Sequence, residues 1–212
     1  MEYQIKYENG IANRGCLYRL KKVMDRAKAG EALNIAFLGG SITQGSLSSK
    51  PELCYAYHVY EWWKKTFPQA DFTYINAGIG GTTSQFGVAR AEADLLSKEP
   101  DFVIIEFSVN DDSTEHFMET YEGLVRKVYT SKTKPAVLLV HNVIKRAGFP
   151  SLNAFNTGSM TDIWTLASFS PDFAFFSIGT NAAFLKLSFP KTATLFLSVR
   201  TKPRLSVRFK AD

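Results

Sequence analysis

The chain has 212 residues, with 25 Lys and Arg against 20 Asp and Glu, a formal net charge of +5 and a sequence pI near 9.1. That length holds one domain with a sizeable core, no apolar run approaches a membrane span, and the two cysteines, Cys16 and Cys54, exclude a disulfide framework. The basic surplus does not point to nucleic acid, because residues 141–212 carry nine Lys and Arg against three Asp while residues 1–140 carry sixteen against seventeen acidic ones.

Residues 1–15 read as an irregular arm, and residues 1–6 lack the basic start and apolar core of a secretory leader, so a cytoplasmic location is expected. Over residues 17–29, Leu17, Leu20, Val23, Met24 and Ala27 recur at helical spacing, and Gly30 stops the helix. Residues 35–38 form a short apolar run of the kind buried in parallel sheets. Gly39 and Gly40 then offer backbone angles that a side chain forbids, and Ser41 follows the turn. A helix over 55–65 carries Tyr55, Tyr57, Val59, Tyr60, Trp62 and Trp63, a core or groove-lining face. His58 within it reads as a packed or surface residue.

A second strand over 72–76 leads into a glycine-rich turn, residues 77–84. An amphipathic helix over 88–98 places Ala89, Ala93, Leu95 and Leu96 on its apolar side, and Pro100 ends it. Residues 102–107 are the third strand, running into Ser108-Val109-Asn110-Asp111-Asp112, and a helix over 117–129 precedes a fourth strand at 135–140. Strands alternating with helices at this spacing give an α/β protein with a parallel sheet covered on both faces. Three consecutive strands thus end in loops bearing Ser41, Gly81 and Asn110, on the carboxyl edge where open α/β sheets hold their ligands. The loop after the first strand is neither a phosphate loop, since no Lys-Ser/Thr pair follows the glycines, nor a Gly-x-Ser-x-Gly elbow, since Thr43 stands at the second glycine.

Three blocks together resemble the SGNH (GDSL-type) hydrolase family: Gly39-Gly40-Ser41-Ile42-Thr43, then Asn76-Ala77-Gly78-Ile79-Gly80-Gly81-Thr82-Thr83-Ser84, then Ser108-Val109-Asn110-Asp111. The resemblance covers about residues 17–142. It implies a three-layer α/β/α sandwich with a flavodoxin-like parallel sheet and an ester hydrolase that needs no cofactor or metal. The Gly-Gly-Ser-Ile-Thr variant further resembles family members acting on acetylated carbohydrates, so the expected partner is a small ester, with no role for nucleic acid or membrane. Attack by Ser41 on an ester carbonyl creates a tetrahedral oxyanion, and donors fixed where that charge develops lower the barrier. The resemblance implies three such donors: the Ser41 N–H, the Gly81 N–H and the Asn110 amide. The alternative is a non-catalytic binding module that keeps the pocket without turnover.

A serine hydroxyl also needs a base and a carboxylate behind it. The family supplies both from an Asp-x-x-His block near its C-terminus, and this sequence has none: its histidines are His58, His116 and His141, and no histidine follows Asp162 or Asp172. His116, read as lying in the loop after the third strand, and His141, at the end of the fourth, are the substitute candidates. From about Ile144 the composition shifts. Residues 141–212 contain no Glu, Gln or Tyr, and Phe173-Ala174-Phe175-Phe176 and Thr194-Leu195-Phe196-Leu197-Ser198-Val199 are apolar runs with no helix between them. The expected organisation is an SGNH-like unit over 1–143 and a tail over 144–212 that is divergent or translated out of frame. A four-stranded sheet would then have an open fourth-strand edge unless the tail covers it.

Overall fold

The computed structural model describes residues 16–112 and 114–142 and three later strands within 174–199. The arm at 1–15, Asp162, Asp172 and the basic stretch at 200–208 lie outside the described residues.

The elements run α1 (Tyr18–Lys28), β1 (Leu33–Gly39), α2 (Ser41–Gln44), α3 (Tyr55–Thr66), β2 (Phe72–Gly78), α4 (Ser84–Asp94), β3 (Phe102–Glu106), α5 (Glu115–Tyr129), β4 (Ala136–Asn142), β5 (Ala174–Ile178), β6 (Ala183–Phe189) and β7 (Ala193–Val199). Five strands form one parallel sheet in the order β2-β1-β3-β4-β5, the flavodoxin-like order. β6 and β7 pair antiparallel as a separate two-stranded sheet. Among the described residues no helix is long and apolar enough to cross a membrane.

Side chains alternate across the sheet and feed two cores. Ile35, Phe37, Phe102, Ile104, Leu138 and Val140 pack beneath α1 and α3 with Trp62 and Trp63. Ala36, Leu38, Val103, Ile105, Val137 and Leu139 pack beneath α4 and α5 with Leu124 and Val128. Helices therefore cover both faces, giving the three-layer sandwich. Near-continuous apolar strands follow from burial on two sides, and all five residues of β3 are buried. α1 buries Val23, Met24 and Ala27, and Gly30 leaves it at φ +82°. The Arg19 guanidinium lies 3.3 Å over the Tyr129 ring and donates to the Tyr129 carbonyl, tying α1 to the end of α5.

Two helices differ from the sequence reading. α5 begins at Glu115 rather than 117, so His116 is on the helix and not in the loop before it. α4 begins at Ser84 rather than 88, and a 3₁₀ turn at Leu96–Lys98 follows it. Its buried face is Ser84, Gly87, Arg90 and Ala91, whereas Ala89 and Ala93 are exposed. The phase differs because the helix is fixed at its start, where Asp111 Oδ1 accepts the Ser84 N–H at 2.9 Å. Close packing then selects the smallest residues: a Cβ at Gly87 would lie 2.9 Å from the Phe107 ring.

The edge of β4 is also not open. β5 pairs with it in parallel, from Leu138 opposite Ala174 to Asn142 opposite Ile178. An unpaired row of N–H and C=O groups is a template for any extended apolar segment, and the phenylalanine-rich run supplies one.

Candidate active site

β1 lies between β2 and β3, so the loops after these three strands are neighbours at the carboxyl edge. Ser41 opens α2 directly after β1, and the turn is tight: Gly40 N–H donates to the Glu106 carbonyl, Gln44 N–H to the Gly40 carbonyl, and Ser46 N–H to the Ser41 carbonyl. The glycine requirement here is crowding rather than φ. Gly40 has φ −87°. A Cβ at Gly39 would lie 2.1 Å from Thr43 Oγ1 and 2.5 Å from the Glu106 carbonyl oxygen, and one at Gly78 would lie 2.2 Å from the Gln44 nitrogen. Thr43, at the position of the missing elbow glycine, is buried, with Oγ1 2.9 Å from the Tyr55 hydroxyl.

The β2 loop is tied to the same turn. Asn76 Nδ2 donates to the Thr43 carbonyl at 2.8 Å, Asn76 Oδ1 accepts the Gly78 N–H at 2.9 Å, and Ile79 N–H donates to the Gly39 carbonyl at 3.0 Å. Gln44 Oε1 accepts the Gly80 N–H at 2.8 Å, and a Cβ on Gly80 would come within 3.7 Å of the Ser41 Cβ. Gly81 has φ +71°, in the left-handed region that favours glycine, with nothing within 4 Å of where its Cβ would be. The backbone there faces open space.

Asn110 follows β3 in a turn closed by its own N–H to the Phe107 carbonyl. Its carboxamide lies against Gly40, with Nδ2 3.2 Å from a Cβ built there, and Nδ2 donates to the Thr82 carbonyl at 2.8 Å. One amide hydrogen is thereby spent on Thr82 and the second remains. The structure thus brings Ser41, the Gly80-Gly81 turn and Asn110 together. Among the described residues nothing accepts from the Ser41 or Gly81 N–H, and the Ser41 hydroxyl has no partner.

The histidines are not part of this cluster. No hydrogen bond joins any of them to Ser41 among the described residues. His58 sits half-buried in α3, where burial pushes its pKa down. His116 is exposed on α5 beside the Phe117 ring. His141 is buried in β4 with its ring centroid 5.9 Å from that of Tyr121 and its Nε2 unpartnered among the described residues, and burial holds its pKa down to about 4.

Three supporting residues were not foreseen. Arg90 is buried and donates from Nη2 to the Gly39 carbonyl at 3.1 Å and from Nη1 to Asp94 at 3.1 Å. Asp111 caps α4, and burial raises its carboxyl pKa against the opposing pull of the Ser84 hydrogen bonds. Glu106 is buried at the end of β3, where its Oε1 accepts from the Ser108 hydroxyl at 3.1 Å. The only available signal was a charged residue at a core-facing period, as with Arg90 one turn beyond Gly87.

The model of the GDSL-like Lipase/Acylhydrolase family matches residues 37–158. The chain belongs to that family. A curated member-like relative, the acetylxylan esterase of Geobacillus stearothermophilus, is 26% identical over 129 residues and is matched over 58% of its length. A solved two-domain esterase, CEX, active on acetylated mannans and co-crystallised with mannopentaose, is 82% identical, with a TM-score of 0.75 over 82% of this chain and 46% of that one. Axe2, an acetylxylan esterase from Geobacillus stearothermophilus, shares the fold at 19% identity, with a TM-score of 0.53 over 69% of this chain and 77% of that one. The GDSL-like chain therefore spans little more than half of the curated relative and less than half of the two-domain esterase.

Proposed function

We propose that the chain is a serine carboxylic-ester hydrolase that removes acetyl groups from a carbohydrate or similar small ester. Ser41 attacks the carbonyl carbon, and the Ser41 N–H, the Gly81 N–H and the free Asn110 amide hydrogen receive the oxyanion. The observation that carries this reading is the meeting of three loops: the Asn110 carboxamide lies on Gly40, and Gly80 turns toward Ser41. Each donor of this kind contributes about 3 kcal/mol to transition-state stabilisation. Collapse of the intermediate expels the alcohol, which takes the proton that Ser41 gave up, and water then releases acetate. The named activities of CEX on acetylated mannans and of the acetylxylan esterase support a polysaccharide acetyl ester as substrate. In this reading the location is cytoplasmic and nucleic acid plays no part.

Hydrolysis of 4-nitrophenyl acetate, lost in Ser41→Ala, tests the proposal. A second reading, a binding module without turnover, is favoured by the Ser41 hydroxyl having no histidine partner among the described residues. A serine-directed fluorophosphonate separates the two, because an activated Ser41 is labelled and an inert one is not.

The same reading divides the chain into an SGNH-like unit over 1–143 and a divergent or out-of-frame tail over 144–212. The shift in composition from about Ile144, after which Glu, Gln and Tyr no longer occur, supports the division. The family match running to residue 158 pulls the other way. Reading the coding DNA in its other two frames past codon 143 decides the matter, and the frame explanation fails if neither yields an Asp-x-x-His block.

A further inference from the structure

Beside Ser41, toward the β2 edge of the sheet, lies a cavity of about 340 Å³ that the chemistry above does not use. It is lined by Gln44, Glu52, Cys54, Tyr57, Tyr74 and Asn76, among others. Small-molecule sites run from about 300 to 1,000 Å³, so this one is sized for a compact ligand.

Its position relative to the nucleophile is set by α2. Gln44 stands one turn beyond Ser41 on that helix, so the wall of the cavity and the hydroxyl are neighbours. Gln44 also holds the Gly80 N–H, and Gly80 faces Ser41. A molecule whose ester carbonyl sits at Ser41 and whose alcohol side extends past Gln44 enters this cavity.

The lining selects the chemistry. The Tyr57 and Tyr74 rings meet edge to face, with centroids 5.6 Å apart. Tyr74 is fixed from behind by Phe37 and Tyr60, and its hydroxyl accepts from Asn76 Nδ2 at 2.9 Å. Asn76 is itself anchored to Thr43 and Gly78, so this wall is rigid before any ligand arrives. Glu52 is exposed at the rim, and no Lys or Arg is among the described lining residues. Phosphate and carboxylate ligands therefore meet no counter-charge from these residues. A neutral polyhydroxylated ring fits, laying C–H groups on tyrosine and giving hydroxyls to Glu52 and Gln44.

We infer that this cavity is a subsite for one neutral sugar ring on the alcohol side of the ester, with Tyr57 as its platform and Glu52 as a hydroxyl acceptor. The inference rests on reading the chain as a carbohydrate esterase.

The experiment titrates the full chain with unacetylated mannopentaose and with xylopentaose by calorimetry, beside 4-nitrophenyl acetate hydrolysis on the same preparations. Tyr57→Ala weakens binding of the favoured oligosaccharide about tenfold or more. Glu52→Gln weakens it severalfold, and because Glu52 is exposed this variant leaves the fold intact. Ser41→Ala binds as the parent does. Failure of both oligosaccharides to bind the parent, or equal affinity in the parent, Tyr57→Ala and Glu52→Gln, overturns the subsite. Tyr57-dependent binding without nitrophenyl acetate hydrolysis overturns the esterase reading and leaves the subsite standing.

Discussion

His141 makes the stability of this fold depend on pH in one direction. The imidazole is 7% exposed, stands against Tyr121, and has no partner for Nε2 among the described residues. Burial penalises its charged form and holds its pKa down to about 4, against 6.5 in an open chain. Between those two values the unfolded state carries a proton that the folded state lacks. Stability from this group is complete above pH 6.5 and drains as pH falls toward 4, a loss of about 3 kcal/mol. Asp111 works in the opposite sense, since burial raises its carboxyl pKa and protonation then favours the folded state. The measurement is urea unfolding of the full chain at pH 7, 6, 5 and 4, followed by tryptophan fluorescence, to which the buried Trp62 and Trp63 contribute. His141→Leu removes the titrating group and keeps an apolar side chain in the core. The parent should lose about 3 kcal/mol more than His141→Leu between pH 7 and pH 4. Parallel losses in the two proteins would refute a neutral, buried imidazole.

Asn110→Ala removes the carboxamide from above Gly40; kcat on 4-nitrophenyl acetate should fall about 100- to 1,000-fold with KM little changed, and an unchanged kcat would remove Asn110 from the oxyanion site. Gly78→Ala drives a methyl group into the Gln44 backbone, so a loss of at least about 1–3 kcal/mol is expected in thermal unfolding. Thr43→Val leaves the buried Tyr55 hydroxyl without its 2.9 Å partner and should cost about 1–3 kcal/mol by denaturant titration.

Much of this architecture was legible in the sequence because buried parallel strands announce themselves. The runs at Ile35–Leu38 and Phe102–Ile105 have no solvent face and so no polar residues to break them. The loop residues were legible for the opposite reason: Ser41, Gly81 and Asn110 are small or polar residues in the loops that follow β1, β2 and β3. The phase of α4 was not legible, because its inward face is built from a serine, a glycine, an arginine and an alanine, of which only the alanine scores as apolar. Arg90 is internal only because the Gly39 carbonyl and Asp94 wait for its guanidinium, and those are contacts across 51 residues and one helical turn. The partner of the Phe173–Phe176 run was hidden for a related reason. Periodicity says that a segment is extended, and only the vacant side of β4 says where it docks.

The central place of β1 has a consequence for how the proposed site is assembled. Residues 41, 81 and 110 are distant along the chain and become adjacent only when β1 is flanked by β2 on one side and β3 on the other. No hairpin, single crossover or isolated half of the sheet holds all three. Under the proposed function, turnover is an all-or-none reporter of sheet assembly: a folding intermediate lacking either neighbour of β1 would be silent, however much helix it had already formed.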